Sequence, residues 1–259
     1  MLKFLKKRII SKSKFQSVKS SNSTLNKTKK GKKYKIKIIT SYTKNYAELG
    51  KESFKTIKKY SRVYGYNCEN VKMPKMNRPP AWSKIIILIN EMKKKTHDYL
   101  MWVDADAFFS NFKIDISDEI ESKKEIYMVN HYCEVHKGSI YPNTKLAVLR
   151  INTGVLLIKN CESNYKFLLN VWENKKFINH GYWEQAAVMD QLGLRAEFNG
   201  NLNDHRGNTY LNKVKFLPSN WNSIPSNQNL STEKQDPIII HLAGMNMKEK
   251  LNYIKKKKA

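Results

Sequence analysis

The hydrophobic pattern in the first half of the chain changes repeatedly between a strand period and a helix period. Apolar and polar residues alternate over residues 34–39, and an unbroken apolar run fills residues 99–103. Between these predicted strands, Asn45 and Ser83 each precede a stretch in which apolar residues recur at helical spacing, and Gly65 follows the first stretch. Strands that alternate with helices predict an α/β fold, with a mainly parallel sheet that carries helices on both faces.

The second half of the chain has a less regular pattern. A short apolar segment at 126–130 is followed by an irregular polar stretch as far as Thr144, and the apolar segments after it are also short. They predict a mixed region of loops, helices and strands. Its predicted strands are 126–130, 155–158, 214–217 and 238–242, and its predicted helices are 165–175 and 183–192, the second ended by Gly193.

Composition divides the chain into one body and two basic ends. Residues 1–33 are rich in Lys, Ser and Asn, and the first acidic residue is Glu48. We therefore predict a basic flexible tail over residues 1–33, a single domain over residues 34–250 and a second basic tail over residues 251–259. An apolar fraction of 41% in 259 residues is enough for a sizeable core.

The formal net charge of +26 raises the question of a nucleic-acid partner. Of the 48 basic residues, however, 42 are Lys and 6 are Arg, whereas the recognition of bases and phosphates usually relies on Arg. We therefore do not favour a nucleic-acid partner. We give weak contact of the basic tail with an anionic membrane the same low weight as a nucleic-acid partner. Leu2, Leu5 and Ile9 lie beside basic residues, as such a contact would require.

Membrane-spanning and disulfide-rich classes are not indicated. No apolar run approaches the ~18 residues that a membrane span needs, and the basic start of the chain is too charged for a secretory signal. We therefore expect a soluble, cytoplasmic protein. The three cysteines, Cys68, Cys133 and Cys161, have no CxxC spacing, so neither a disulfide framework nor a zinc site is predicted.

Two carboxylates directly follow the apolar run 99–103. Asp104 and Asp106 are two residues apart, so in extended backbone both lie on one face at the carboxyl end of a strand, where open α/β sheets bind ligands. Their oxygens suit Mg²⁺ or Mn²⁺, although acids that simply end a strand are an equal interpretation. His241 ends a second apolar run. It is either a structural histidine or the third ligand of a mixed site that suits Mn²⁺ slightly better.

Other polar residues lie at the ends of predicted elements. Asn152–Gly154 precede a predicted strand and form either an ordinary turn or a ligand-binding loop. Lys84 lies at a helix start, where the helix dipole disfavours a cation, and this suggests a negative partner. Glu184 at another helix start is explained by the dipole, or together with Gln185 it faces a cleft. Gly244 would let the backbone approach a phosphate closely.

Seven segments of the chain, taken in order, resemble the retaining glycosyltransferases that include fungal α-galactosyltransferases, yeast α-mannosyltransferase subunits and plant xyloglucan xylosyltransferases. The resemblance covers about residues 36 to 245. Each segment alone is a weak signal, whereas the ordered set is specific. The segments are 59–66, 80–85, 102–107, 152–161, 183–187, 217–223 and 241–244.

This resemblance implies a GT-A fold, in which a Rossmann-like nucleotide-sugar half joins a mixed acceptor half. It implies that Asp104, Asp106 and His241 bind Mn²⁺, with Mg²⁺ as the alternative, and that Glu184 and Gln185 are the catalytic pair that faces the reacting carbon. The residues implied in donor binding are Thr40, Ser41, Tyr42, Lys84, Asp104, Ala105, Asn152, Thr153, Gly154, Gly244 and Lys248.

The activity that the resemblance implies is metal-dependent, retaining transfer of a hexose or pentose. The donor is a nucleotide sugar, with UDP-sugars favoured, and the acceptor is a glycan, a glycoprotein or another hydroxyl. Relatives often carry Lys shortly after the His-x-x-Gly motif, but here Met247 stands at that spacing and Lys248 follows. Relatives in the Golgi carry a membrane anchor that this sequence does not show, so a Golgi assignment does not transfer.

Two other classes of function compete with this interpretation. One is a non-catalytic glycosyltransferase-like subunit or sugar-binding module that keeps the fold without turnover. The other is a basic nucleic-acid-associated protein, for which a steep salt dependence of binding would be diagnostic.

Overall fold

The computed structural model describes residues 34–134, 147–194, 210–225 and 236–258, so the predicted tail 1–33 lies outside the described residues. The strands are β1 (Ile36–Thr40), β2 (Asn67–Asn70), β3 (Tyr99–Val103), β4 (Ala107–Phe109), β5 (Ile126–Glu134), β6 (Ala147–Lys159), β7 (Val214–Leu217) and β8 (Ile239–His241). The α-helices are α1 (Ala47–Tyr64), α2 (Ser83–Lys93), α3 (Glu162–Glu173), α4 (Trp183–Gln191) and α5 (Met247–Lys258).

Six strands form the central sheet in the order β2–β1–β3–β6–β5–β7. β1 is parallel to β2 and β3, and β5 is parallel to β7. Strand β6 is antiparallel to both of its neighbours, β3 and β5. The predicted mainly parallel sheet is therefore confirmed, with one reversed strand at its centre. β4 and β8 form a separate antiparallel pair.

Helices pack on both faces of the sheet, as the pattern predicted. In β3, Leu100 and Trp102 pack in the core with α2, α3 and α4, whereas Met101 and Val103 pack on the face of α1. All five residues of β3 are buried. The unbroken apolar run arises because a central strand between two helical layers has no solvent-facing side.

One predicted strand is much longer than its apolar core suggested. The pattern predicted a strand at 155–158, whereas β6 extends from Ala147 to Lys159 and pairs with β5. The register of that pairing jumps from Leu156 opposite Met128 to Asn152 opposite Val129. Three residues of β6 therefore have no counterpart on β5, which makes this a bulge.

The bulge corrects the prediction for Asn152–Gly154. These residues were expected in a loop that precedes a strand, but they lie within β6. Polar residues can lie inside a buried strand here because the bulge breaks the ladder with β5 at this point.

The boundaries of helices α1 to α4 differ from the predicted ones by at most three residues. α1 begins at Ala47 after a 3₁₀ turn at Lys44–Tyr46, so Asn45 does not cap it. Gly65 ends α1 with φ of 70°, as predicted for a left-handed cap. Residues 251–258 of the predicted second tail continue helix α5. Within the described residues, no helix has the length and apolarity that crossing a membrane requires.

Tyr60 of α1 ties the helix to the segment after β4. Its ring stacks on Phe109 with the ring centroids 3.9 Å apart. Its hydroxyl donates to the Ile114 carbonyl at 3.0 Å and accepts from the Ile116 N–H at 2.8 Å. Burial raises the pKa of Tyr60 far above its usual range, so the hydroxyl stays neutral and serves as donor and acceptor together.

Substitution Tyr60→Phe should lower the free energy of unfolding by about 1–3 kcal/mol, because the Ile114 carbonyl and the Ile116 N–H both lose a buried partner. Urea denaturation measures the change. Tyr64→Phe is the matched control, since the hydroxyl of half-buried Tyr64 donates to the Phe112 carbonyl at 2.9 Å. We expect a smaller loss there, and equal losses in the two variants would contradict the bridging role.

Candidate active site

Two strand pairings bring the predicted metal ligands together. Asp104 directly follows β3, and its N–H donates to the Gly154 carbonyl of β6 at 2.8 Å. Asp106 directly precedes β4, in which Ala107 lies opposite His241 of β8. The short β4–β8 pair therefore carries His241 to the end of β3, although the two are far apart in the sequence.

The side chains of Asp104, Asp106 and His241 form one cluster. A ligand atom from each lies within 4.8 Å of the others. His241 Nε2 is 3.3 Å from Asp106 Oδ1 and 3.9 Å from Asp104 Oδ2. Two carboxylate oxygens and an imidazole nitrogen fit a divalent cation, and the nitrogen donor suits Mn²⁺ somewhat better than Mg²⁺.

Each aspartate is also held by side chains other than His241. Asp104 Oδ1 accepts from Trp102 Nε1 at 2.6 Å, and Lys84 Nζ lies 3.1 Å from Oδ1 and 3.4 Å from Oδ2. Asp106 Oδ2 is 2.7 Å from Nζ of the buried Lys250. Asp104 Oδ2 and Asp106 Oδ1 are therefore the oxygens nearest to the imidazole, so each carboxylate presents one oxygen to the same point.

Lys84 is buried between two carboxylates. Besides Asp104, it contacts Glu184 Oε1 at 2.9 Å and the carbonyl and hydroxyl oxygens of Thr153 at 3.2 and 3.3 Å. Burial by itself would lower the pKa of Lys84, but the charges of Asp104 and Glu184 raise it above its usual value. The cation at the start of α2, which the helix dipole disfavours, is thus paired with the protein's own acids.

Lys250 and Asp106 form a second buried ion pair. Burial opposes the ionisation of Asp106, yet the neighbouring His241 and Lys250 hold the pKa of that carboxyl well below its usual range. Burial likewise lowers the pKa of Lys250, but Asp106 raises it overall. A mutual capping box between Asn246 and Glu249 begins α5 and places Lys250 in its first turn.

The first turn of α4 delivers a carboxylate that is only half satisfied. Glu184 is buried, and its Oε1 accepts from Lys84 and from Thr153 Oγ1 at 3.1 Å. Among the described residues, its Oε2 has no hydrogen-bond partner. Burial, helped by the charge of Asp104, raises the pKa of Glu184 above its usual value although Lys84 lowers it. Gln185 Oε1 accepts from the Thr153 N–H at 3.3 Å, so the predicted catalytic pair does lie beside the cluster.

The backbone just before this carboxylate is in an unusual conformation. Trp183 has φ of 43°, in the left-handed region that favours glycine, and its side chain is exposed. Such backbone strain costs about 1–3 kcal/mol and is found mostly at functional sites. The strain fits a helix start whose position is determined by the cluster and not by local propensity.

Gly154 allows close packing against the imidazole. A Cβ atom at this position would overlap Cε1 of His241 and would lie 2.7 Å from its Nδ1 and 2.9 Å from Asn152 Oδ1. Any side chain on Gly154 therefore displaces the ring. The glycine of the Asn-Thr-Gly segment is required here by space and not by a positive φ.

Three predicted donor-binding residues lie at the end of β1, the neighbour of β3 in the sheet. Thr40 and Ser41 are buried, and their hydroxyl oxygens have no hydrogen-bond partner among the described residues. Tyr42 is half-buried and its ring lies against Gly50, where a Cβ atom would overlap it. Orphan hydroxyls at a strand end are groups that a polar ligand could satisfy.

The remaining predicted residues differ in how close they come to the cluster. Ala105 lies between the two aspartates and is half-buried. Gly244 forms the turn after β8 with φ of 79° and is exposed. Lys248 is exposed on the first turn of α5, and the lysine that reaches the cluster from this helix is Lys250.

Sequence reasoning missed three residues that contact the cluster. Lys250 carried no signal, because it is one of many lysines near the end of the chain. Trp102 Nε1 bonds Asp104 from within the apolar run of β3, where a tryptophan is expected to be core. Asn222 was noticed only as part of a motif, yet its Oδ1 lies 2.9 Å from His241 Nδ1.

Comparisons with known proteins agree with this architecture. A family model described as the galactosyl transferase GMA12/MNN10 family matches residues 32–252. A crystal structure of a glycosyltransferase involved in the glycosylation of the major capsid of PBCV-1 has a TM-score of 0.57 and 15% identity, covering 86% of this chain and 99% of that one. The apo structure of the bifunctional glycosyltransferase WbbM has a TM-score of 0.50 and 11% identity, covering 82% of this chain and 46% of that one.

The expected GT-A glycosyltransferase fold is thereby confirmed. At these identities the structural likeness shows the fold alone. A search of curated proteins finds no match.

Substitution Gly154→Ala should weaken the binding of a divalent cation about tenfold or more, because the new methyl group displaces His241 from the two aspartates. Calorimetric titration of the purified chain with Mn²⁺ measures the affinity. Gly181→Ala is the matched control, since a Cβ atom there meets nothing within 4 Å. If Gly154→Ala binds Mn²⁺ as tightly as the control, the imidazole is not a ligand.

Proposed function

The chain belongs to the galactosyl transferase GMA12/MNN10 family, and we propose that it is a metal-dependent, retaining glycosyltransferase. It would transfer a hexose or pentose from a nucleotide sugar, most readily a UDP-sugar, to a hydroxyl of a glycan or glycoprotein. The observation that supports this proposal most directly is the cluster of Asp104, Asp106 and His241. The buried carboxylate of Glu184 lies beside it, because Lys84 contacts both Asp104 and Glu184.

The donor set of the cluster supports a divalent cation of the Mn²⁺ type, with Mg²⁺ as the alternative. Asp104, Asp106 and His241 would hold the ion through the three atoms that already point to one another. When bound, the ion would act as a Lewis acid that neutralises negative charge on the departing diphosphate.

The residues around the cluster would bind and orient the donor. The unsatisfied hydroxyls of Thr40 and Ser41 support a role in holding the nucleotide, beside Tyr42. The bulge of β6 would place Asn152–Gly154 next to the donor sugar, together with Ala105. Gly244 would let the backbone approach the diphosphate closely. Lys248 would contact the diphosphate only from the exposed side of α5, so its contribution should be small.

Lys84 would have a double role in the transfer. Its buried ammonium holds Asp104 in place and also fixes Glu184 Oε1, so that Glu184 Oε2 is the oxygen left to act on a ligand. The same positive charge would favour the departure of an anionic leaving group, because a charge in a buried site is weakly screened.

Glu184 and Gln185 would act at the reacting carbon. A carboxylate next to that carbon would stabilise the positive charge that develops as the glycosidic bond to the diphosphate breaks. Gln185, which already bonds the Thr153 backbone, would orient the sugar. In a retaining transfer the acceptor hydroxyl attacks from the face that the diphosphate leaves, so the anomeric configuration of the donor is kept.

Substitutions Asp104→Asn and Asp106→Asn should each reduce transfer about a hundredfold or more, because an amide oxygen binds a divalent cation far more weakly than a carboxylate. Both should also abolish the rise in melting temperature that a UDP-sugar causes in the presence of Mn²⁺. Asp118→Asn is the control, since Asp118 is exposed on the 3₁₀ turn Ile116–Glu119 and is not part of the cluster. Donor binding without any hydrolysis or transfer in the unaltered protein would instead indicate a non-catalytic sugar-binding module.

Substitution Glu184→Gln should reduce turnover about a hundredfold while it leaves donor affinity within a few-fold, because the charge is needed chiefly in the transition state. Glu162→Gln is the matched control, as Glu162 also lies in the first turn of a helix but is exposed. NMR of the product of the unaltered enzyme reports the anomeric configuration. An inverted product would refute the retaining mechanism.

A further inference from the structure

A chain of four hydrogen-bonded groups leads from the backbone of β6 to the imidazole of His241. The Gly154 N–H donates to Asn152 Oδ1 at 2.8 Å, and Asn222 Nδ2 donates to the same oxygen at 2.9 Å. Asn222 Oδ1 then lies 2.9 Å from His241 Nδ1. Asn222 is fully buried and His241 nearly so.

The direction of every bond in this chain follows from its first member. A backbone N–H can only donate, so the atom of Asn152 that it meets must be the carbonyl oxygen. The atom of Asn222 that meets this oxygen must then be a donor, which makes it the amide nitrogen. The other atom of the Asn222 amide is therefore an oxygen, and it can only accept from His241 Nδ1.

Nδ1 of His241 must consequently carry a hydrogen. When the ring is neutral its second nitrogen, Nε2, then has a lone pair, and Nε2 is the nitrogen that faces Asp104 Oδ2 and Asp106 Oδ1. Without this chain, the more favourable neutral tautomer would carry its hydrogen on Nε2 and donate to Asp106 at 3.3 Å, which would hide the lone pair from a cation.

The backbone holds Asn222 and His241 together independently of their side chains. Ser223 N–H donates to the Ile239 carbonyl at 2.8 Å, and His241 N–H donates to the Ser223 carbonyl at 2.7 Å. The segment that carries Asn222 is thus bridged to β8, so a change of its side chain can be made without releasing it from the strand.

We propose that Asn222 is a positioning residue that, oriented by Asn152 and the Gly154 N–H, keeps the Nε2 lone pair of His241 directed at the two aspartates. Asn152 then has a structural role through its oxygen, in addition to any contact with the donor sugar. The inference rests on the proposed function in one respect, namely that this cluster binds a divalent cation.

The test compares Asn222→Leu with Asn222→Asp and with Asn220→Leu, all in the full chain. Leu removes the acceptor for His241 Nδ1–H, whereas Asp keeps an acceptor oxygen there and loses only the hydrogen bond that Asn222 Nδ2 donates to Asn152 Oδ1. Asn220 lies on the same 3₁₀ turn as Asn222 and is half-buried, so Asn220→Leu controls for general damage to the turn. Thermal unfolding checks that each variant is folded.

Two measurements decide the outcome. Calorimetric titration with Mn²⁺ should show a 10–100-fold loss of affinity in Asn222→Leu, a smaller loss in Asn222→Asp, which keeps the acceptor, and a loss of less than about threefold in Asn220→Leu. Long-range ¹H–¹⁵N NMR should show the Nδ1–H form of His241 in the unaltered protein and in Asn222→Asp, but not in Asn222→Leu. The His241 signals, among six histidines, are assigned from their absence in His241→Gln.

Unchanged Mn²⁺ affinity in folded Asn222→Leu, or a persistent Nδ1–H form in that variant, would overturn the inference. If Asn222→Leu does not fold, the Asn222→Asp variant decides the outcome. A switch of His241 to the Nε2–H form in Asn222→Asp would overturn the inference, and so would a loss of Mn²⁺ affinity in that variant as large as the loss in His241→Gln. Failure of the unaltered protein to bind Mn²⁺ or Mg²⁺ would refute the proposed metal dependence, and the NMR comparison would still test the chain of hydrogen bonds by itself.

Discussion

The site depends on the compensation of three carboxylates that are largely removed from water. Asp106 and Glu184 are buried and Asp104 is half-buried, and carboxylates in such surroundings stay charged only when cations and hydrogen bonds compensate for the lost water. Lys84 enters from α2 and Lys250 from α5, each buried and each within ion-pair distance of one of the aspartates. Helix α2, which packs on the sheet, and helix α5 therefore also supply the positive charges that compensate these carboxylates.

Strand β6 shapes the same site from the other side. Because β6 is antiparallel to β3, the polar residues that precede its apolar half lie next to the carboxyl end of β3. A parallel strand would place its own carboxyl end there instead. The bulge then inserts Thr153 and its neighbours between the ladder positions of Asn152 and Leu156. Thr153 meets Lys84, Glu184 and the Gln185 side chain through its carbonyl, hydroxyl and N–H groups. An irregularity in the sheet thus supplies hydrogen bonds that a regular ladder would have used internally.

The fold class and the cluster could be predicted because both follow from local patterns. Alternating periods indicate an α/β sheet, and apolar runs that end in metal-capable side chains mark strand ends. The reach of β6 and the role of Lys250 could not be predicted, since they depend on pairing with distant residues and on which of many lysines is buried. Asn222 shows the same limit. Its amide is oriented by a hydrogen bond to Asn152, a residue about 70 positions earlier in the chain, and no spacing in the sequence predicts that contact.

Charge accounting connects the two halves of the site. Counted without His241, three carboxylates and two lysines leave one net negative charge around the cluster. On the proposed function, a divalent cation and a diphosphate of two negative charges would enter together without changing this balance, whereas the cation alone would reverse its sign. Lys84 contacts both Asp104 and Glu184, so a change of charge at the cation site is felt directly at the carboxylate that would face the reacting carbon. On the proposed function, metal binding and the electrostatics of bond cleavage would therefore be one coupled system, linked through the buried ammonium group of Lys84.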